Sequence, residues 1–339
     1  MRTEATIEEW KNLYESATRI QKLRPWDYLW DMDIVGIQTG SQPENTIFYS
    51  ILGKGGYGHG ITVYEGYHAF NSFMMLAMQE SMNLSVEYAM FNQQCLSLYW
   101  GNREELSAKQ RDIVKELGYK YRGKNNWLYF MSYEPGYYPF NLDRDEVLRM
   151  TEYLTDFELA FSHFINQNVQ IDFGKGNMFS FVFSEDKKQW NFGEKALPFT
   201  SYSFSRIVLS DQEELVEYLK SAVKGNAILE LDVVPLGASI ADKKYDRPAN
   251  PMLSVIVDAT QGIALSCEMN EPDKDPVIML ANKLLDFIGK YGMPKEVRVA
   301  NVIIEAGIQE ICKYGDIKLR RVKKLPEINH FMNSMSRFQ

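Results

Sequence analysis

In SVIVDATQGIAL, Asp258 ends an apolar run and precedes a turn into a second one. A carboxylate at a strand end can hold a divalent cation. Two such cations, held by three or four carboxylates, activate water for hydrolysis. The nearest acidic candidates to complete such a set are Glu268 and Glu305. Convergence of Asp258, Glu268 and Glu305 implies Mg²⁺, and no other cofactor is implied. The competing reading makes Asp258 the cap of a tight turn with Thr260 and Gly262.

Other residue types offer less. The four histidines, His59, His68, His163 and His330, form no HxH or HExxH spacing. Residues 53–60 are rich in glycine, but Lys54 comes early and a strand follows, so the run reads as a hairpin tip rather than a phosphate loop. No GxSxG is present. Cys95, Cys267 and Cys312 are dispersed without a CxxC, which argues against a disulfide framework or a thiolate zinc site. Trp26, Trp30, Tyr137 and Tyr138 lie in aromatic, acidic segments that could line a binding cleft, although such residues also pack ordinary cores. Lys318, Arg320 and Arg321 belong to a basic run over 313–324. That run suits an edge strand whose charges discourage pairing, or contact with nucleic acid or an acidic partner.

The elements that would position these groups read as α+β. Residues 6–24 carry apolar residues at three- and four-residue steps, with Thr6 and Glu9 as a capping box. Apolar runs at 46–53 and 60–66 flank the glycines as a hairpin. A helix is expected over 68–81, a strand at 93–102, a helix over 107–117 and a strand at 127–133. The prolines and glycine of 135–143 then mark a loop. A long helix over 143–166 buries Val147, Met150, Leu154, Phe157 and Phe161. A second hairpin covers 178–194, a strand 201–210, a helix 212–223 and a strand 227–237. The stretch 241–251 reads as a linker. The C-terminal part reads β-β-α-β-α-β-α. The expected division is 1–142, an N-terminal α+β domain; 143–240, a helix with a β-rich middle; and 250–339, an α/β domain.

Bulk properties limit the function. With 339 residues, the chain exceeds what one core usually organises. Its 13% aromatic content suits a large buried core. A net charge of -8 repels phosphate backbones and anionic lipid, so nucleic acid is disfavoured away from the basic C-terminal run; the acidity by itself argues only for solubility, and a protein partner is one possibility. No apolar leader region opens the sequence and no 18-residue apolar window occurs, which points to a soluble chain of the reducing cytoplasm and to no membrane partner.

Three segments, LYESATRIQKLRPWDYLWDMDIVGI, YSILGKGGYGHGITVYEGYHAF and YFMSYEPGYYPF, resemble the N-terminal domain of an uncharacterised bacterial protein family. SVIVDATQGIAL, GMPKEVRVANVIIEAGIQEI and LRRVKKLPEI are similar to a second domain of unknown function found with it. The resemblance implies a bacterial cytosolic origin and assigns no catalytic residue. The C-terminal order of helices and strands also resembles a degenerate ribonuclease-H-like fold, with two strands before the first helix where that fold has three, and with Asn301 after the next strand where the resemblance implies a second carboxylate. The reading is a non-enzymatic binding or interaction protein. The alternative is a metal-dependent hydrolase or nuclease, active or decayed, centred on Asp258.

Overall fold

The computed structural model describes residues 2–56, 58–198 and 204–335. In chain order the elements are α1 (Ile7–Leu23), β1 (Val35–Gln38), β2 (Ile47–Leu52), β3 (His59–Glu65), α2 (Gly66–Ala77), α3 (Val86–Phe91), β4 (Cys95–Gly101), α4 (Ala108–Glu116), β5 (Trp127–Tyr133) and α5 (Arg144–Asn166). They continue with β6 (Asn177–Ser184), β7 (Gln189–Ala196), α6 (Glu213–Ser221), β8 (Ile228–Pro235), β9 (Met252–Asp258) and β10 (Ile263–Met269). The last are α7 (Pro276–Tyr291), β11 (Glu296–Val299), α8 (Val302–Tyr314), β12 (Lys318–Arg321) and α9 (Pro326–Met335). The chain is α+β. Among the described residues, no helix is long and apolar enough to cross a membrane.

The chain forms two compact units. The first comprises Met1–Met74, Gln93–Glu134 and Pro139–Ser201. Its seven-stranded sheet runs β5-β4-β3-β2-β1-β6-β7. Only the β1–β6 pairing is parallel. α1 begins with the expected capping box: the Thr6 hydroxyl accepts from Glu9 N–H at 3.2 Å, and the Glu9 carboxylate accepts from Thr6 N–H at 2.7 Å. The buried stripes of α1 (Trp10, Leu13, Ile20) and α5 (Val147, Leu154, Phe161) share one core with Val35, Ile61 and Phe179 of the sheet. α2 contributes to a separate cluster in which Phe70 stacks on Phe48 with centroids 4.2 Å apart.

The second unit comprises Met75–Asn92, Pro135–Tyr138 and Tyr202–Gln339. Its five-stranded sheet runs β10-β9-β8-β11-β12. β8, β9 and β10 pair antiparallel, while β11 lies parallel to both β8 and β12. Leu229, Leu231 and Ile256 pack with α7 and α8, whereas Val255 and Val257 pack with α9. β8 is therefore the central strand. Three antiparallel strands followed by helix, strand, helix, strand, helix is the order of the ribonuclease-H-like fold, so the strand counted as missing in the sequence is 228–235.

Three expectations change as a result. The 143–240 stretch is shared between the two units: α5, β6 and β7 complete the first, and β8 centres the second. Residues 204–210, expected in a strand over 201–210, form no strand, and 201–203 lie outside the described residues. Instead, Ile207 N–H donates to Gly307 O at 3.3 Å and Leu209 N–H to the Glu310 carboxylate at 2.6 Å, so the segment lies on α8. The 241–251 stretch is not a free linker. Ala249 exchanges both backbone hydrogen bonds with Ile240, and Ala249, Asn250 and Pro251 are buried. Tyr138 N–H donates to Pro248 O and Asn250 N–H to Gly136 O, clamping 135–138 against 248–250. Gly136 sits at φ +82°, and a β-carbon there would stand 2.3 Å from Pro272 O, so only glycine fits.

Candidate functional site

Successive side chains of a strand alternate between faces. Along β8, Leu229, Leu231 and Val233 enter the core beneath α7 and α8, which leaves Glu230 and Asp232 on the α9 face. Glu230 is fully buried; its Oε2 accepts from the backbone N–H of Glu327 at 2.9 Å and of Ile328 at 3.1 Å. The carboxylate thus caps the first turn of α9, where a helix favours negative charge. Burial still raises its pKa.

Asp232 is partly buried. Its Oδ1 accepts from Val233 N–H at 2.9 Å and from the Asn301 amide at 3.4 Å. Burial pushes its carboxyl up to about 7. Asn301 is the N-cap of α8, and its Oδ1 accepts from Ile303 and Ile304 N–H at 3.1 and 3.0 Å. The cap uses the amide oxygen, so the amide NH₂ is the group that faces Asp232. The position after β11, where a second metal-binding carboxylate is expected, carries a donor.

The same end of the sheet is covered by residues 75–92. Asn83 Nδ2 donates to Ala300 O at 2.7 Å and to Lys323 O at 3.4 Å. Met82, Leu84 and Tyr88 pack into the core with Leu231, Val233 and Met252. Burial raises the Tyr88 phenol pKa, and the charges of Asp275 and Asp232 raise it further.

The residues singled out in the sequence lie elsewhere. Asp258 is a turn cap: its Oδ1 accepts from Thr260 N–H at 2.7 Å and Gln261 N–H at 3.1 Å. It pairs with Leu229 near the start of β8, toward the opposite end of the sheet from Asn301. Glu268, on edge strand β10, pairs with Lys283 at 2.8 Å, and Glu305 on α8 pairs with Arg321 at 3.0 Å. The three are not brought together. Among the described residues, no group of three or more His, Cys, Asp or Glu is placed to hold a metal.

Trp26 is buried, stacked on His59 with centroids 4.4 Å apart and edge-on to Trp100 at 5.0 Å. Trp30 is half exposed, with Lys54 Nζ 5.3 Å from its ring centroid. In the second unit, Tyr137 meets Tyr245 edge-on at 6.0 Å and Tyr138 meets Phe91 at 5.0 Å. Of the basic residues, Lys318 pairs with Glu296 at 2.8 Å and Arg321 with Glu305, while Arg320 is exposed. Lys318 and Arg298 together hold the Glu296 carboxyl down at about 2. Gly53 is followed by a turn into β3 and no helix begins there, so the glycine run has the geometry of a hairpin tip; Tyr57 lies outside the described residues.

Sequence reasoning passed over Asp232, although a signal was present. Within AILELDVVPLG, Glu230 and Asp232 stand two apart in an otherwise apolar strand, which places both on one face.

A model for a domain of unknown function, DUF7309, matches residues 10–180, just over half of the chain. The chain belongs to the DUF7309 family. A second model, also for a domain of unknown function, DUF6930, matches 215–336. No curated protein matches. Among solved structures, the magnesium-bound HTLV-2 integrase catalytic core is 20% identical, with TM-score 0.25, covering 34% of this chain and 70% of that one. The BIV integrase core is 15% identical, with TM-score 0.23 and coverages of 33% and 66%. A simian T-cell lymphotropic virus intasome in complex with the PP2A regulatory subunit B56 gamma is 18% identical, with TM-score 0.24 and coverages of 33% and 40%. What the second unit shares with the ribonuclease-H-like fold is its strand order, β10-β9-β8-β11-β12.

Proposed function

We propose that this protein acts by binding a partner, and that its second unit is a ribonuclease-H-like scaffold without a working metal site. The observation that carries the reading is the Asn301 amide donating to Asp232. Two-metal hydrolysis needs several ionised carboxylates converging on an open face. Here the Asp232 carboxyl, pushed up to about 7 by burial, faces an amide whose oxygen is committed to a helix cap, and Glu230 on the same face is engaged in capping α9. Residues 75–92 lie over that end of the sheet. The net charge of -8 disfavours phosphate backbones and supports a protein partner. Three unpaired cysteines support a reducing cytosol.

A metal titration followed by melting tests the reading. The wild-type chain is expected to show no shift with Mg²⁺ or Mn²⁺. Asn301→Asp, which places a second carboxylate beside Asp232, is expected to gain a Mn²⁺-dependent rise in melting temperature. Mg²⁺-dependent cleavage of DNA or RNA by the wild type, abolished by Asp232→Asn, would overturn it.

A further inference from the structure

Among the described residues, β10 is an outer strand of the second unit's sheet and pairs with β9 alone. Such an edge is a template for another strand unless charge or proline guards it. β12, at the other edge, is guarded: its sequence is KLRR. β10 reads IALSCEM, with Glu268 as its only charge, and Lys283 holds that carboxylate at 2.8 Å. Ile263, Leu265 and Met269 are 53, 41 and 55% exposed. Asn270 N–H donates to Met252 O, so the backbone of Asn270 faces β9, and by alternation so does that of Glu268 and Ser266. The N–H and C=O groups of Cys267 and Met269 therefore point away from the sheet.

We propose that β10 pairs antiparallel with β10 of a second copy of this chain, about a two-fold axis at Cys267, joining the two sheets edge to edge. An axis at Glu268 would set two carboxylates opposite each other, which weakens a ladder. An axis at Cys267 uses the outward backbone groups of that residue in both copies. It also sets Ser266 against Glu268 of the second copy, hydroxyl donor to carboxylate, once on each side of the axis. With a net charge of -8, two copies repel over most of their surface. Beside β10 the charges balance: a cavity of about 190 Å³ between β10 and α7 is lined by Glu268 and Asp286 against Lys283 and Lys290, with Leu265 and Tyr291 among them. The strand is thus complementary to itself in both hydrogen bonding and charge. The register shift between Ala264 and Ser266 confines the seam to 265–269. An interface this short falls at the small end of the known range, so the dimer is a weak one that forms at micromolar concentrations and above. This goes beyond the reading above and rests on different residues, so the Mn²⁺ experiment and this one fail independently.

Sedimentation of the full chain from micromolar to near-millimolar concentration tests the proposal. The average mass should rise with concentration toward twice that of one chain. Cys267→Pro removes the central outward N–H and leaves the donors to β9 in place, so it should keep the chain monomeric. Should that variant fail to fold, Ser266→Glu sets carboxylates opposite each other and should weaken the dimer about tenfold or more. Oxidation by diamide reads the register. Opposed residues of an antiparallel hydrogen-bonded pair stand about 5.5 Å apart at Cα, within disulfide reach. The two Cys267 thiols should join, with diamide taking up both protons and both electrons. Cys267→Ser should dimerise without cross-linking, because Cys95 and Cys312 are buried. The proposal is overturned if the wild-type chain stays monomeric, which would leave the edge to a strand of another protein. It is also overturned if the folded variants dimerise like wild type, or if the dimer forms without the Cys267 cross-link.

Discussion

At the residue scale, Asp232 makes stability depend on pH in an unusual direction. Its folded carboxyl is raised to about 7 from an ordinary 3.8. Between those values the unfolded chain releases a proton that the folded chain keeps. The group therefore costs nothing below pH 4, and its cost grows as pH rises to 7. Asp232→Asn removes that cost. Urea unfolding should show the variant more stable than wild type by up to ~4 kcal/mol at pH 8, and equal to it at pH 4. A variant equally or less stable at pH 8 would mean the carboxylate is ionised without penalty. The sequence pointed to Asp258 instead because its signal is local, a strand end followed by a turn. Asp232 becomes prominent only when β8 is seen between β9 and β11, and those pairings join residues across wide sequence separations.

At the element scale, α9 depends on one buried side chain. Its first turn receives the Glu230 carboxylate on two backbone N–H groups. Glu230→Ala should cost about 1–3 kcal/mol, the range for stranding or removing a buried, charge-assisted partner. Hydrogen exchange should quicken at Glu327 and Ile328 before it quickens in α7; uniform acceleration would show that the cap has no local role. Gly136→Ala should destabilise the 135–138 clamp, since a β-carbon would meet Pro272 O at 2.3 Å. The melting temperature should fall, and an unchanged value would show that the loop moves freely. Helices with local signals were legible: the capping box of α1 and the apolar stripe of α5 need no distant partner. The hairpins β2–β3 and β6–β7 were also legible, because each turn lies between its own strands. The 204–210 segment was misread because alternating apolar residues describe a half-buried extended chain whether or not another strand pairs with it. Here it rests on a helix.

At the scale of the whole molecule, the two units are interleaved along the chain, and composition gave no sign of it. The second unit takes Met75–Asn92 and Pro135–Tyr138 from the first half of the sequence. Met82, Leu84 and Tyr88 pack against Leu231, Val233 and Met252, so a fragment starting at 204 would leave that apolar surface open to water. Such a fragment should bind a hydrophobic dye and lack near-ultraviolet circular dichroism. A cooperative melt from the isolated fragment would show that residues 75–92 are dispensable. Domain boundaries read from sequence fall between elements that follow one another, and a segment borrowed across more than a hundred residues leaves no boundary to read.

The borrowed segment also sets an order of events during synthesis. Residues 75–92 leave the ribosome roughly 140 residues before Leu231, an interval of about 7–28 s at 5–20 residues per second. Through that interval Met82, Leu84 and Tyr88 have no core to enter, while the strands emerging around them can already pair. The nascent chain carries an unsatisfied apolar stretch between two folding hairpins. A chaperone that shields short hydrophobic segments should act there, and its demand should end when β8 and β9 have been made.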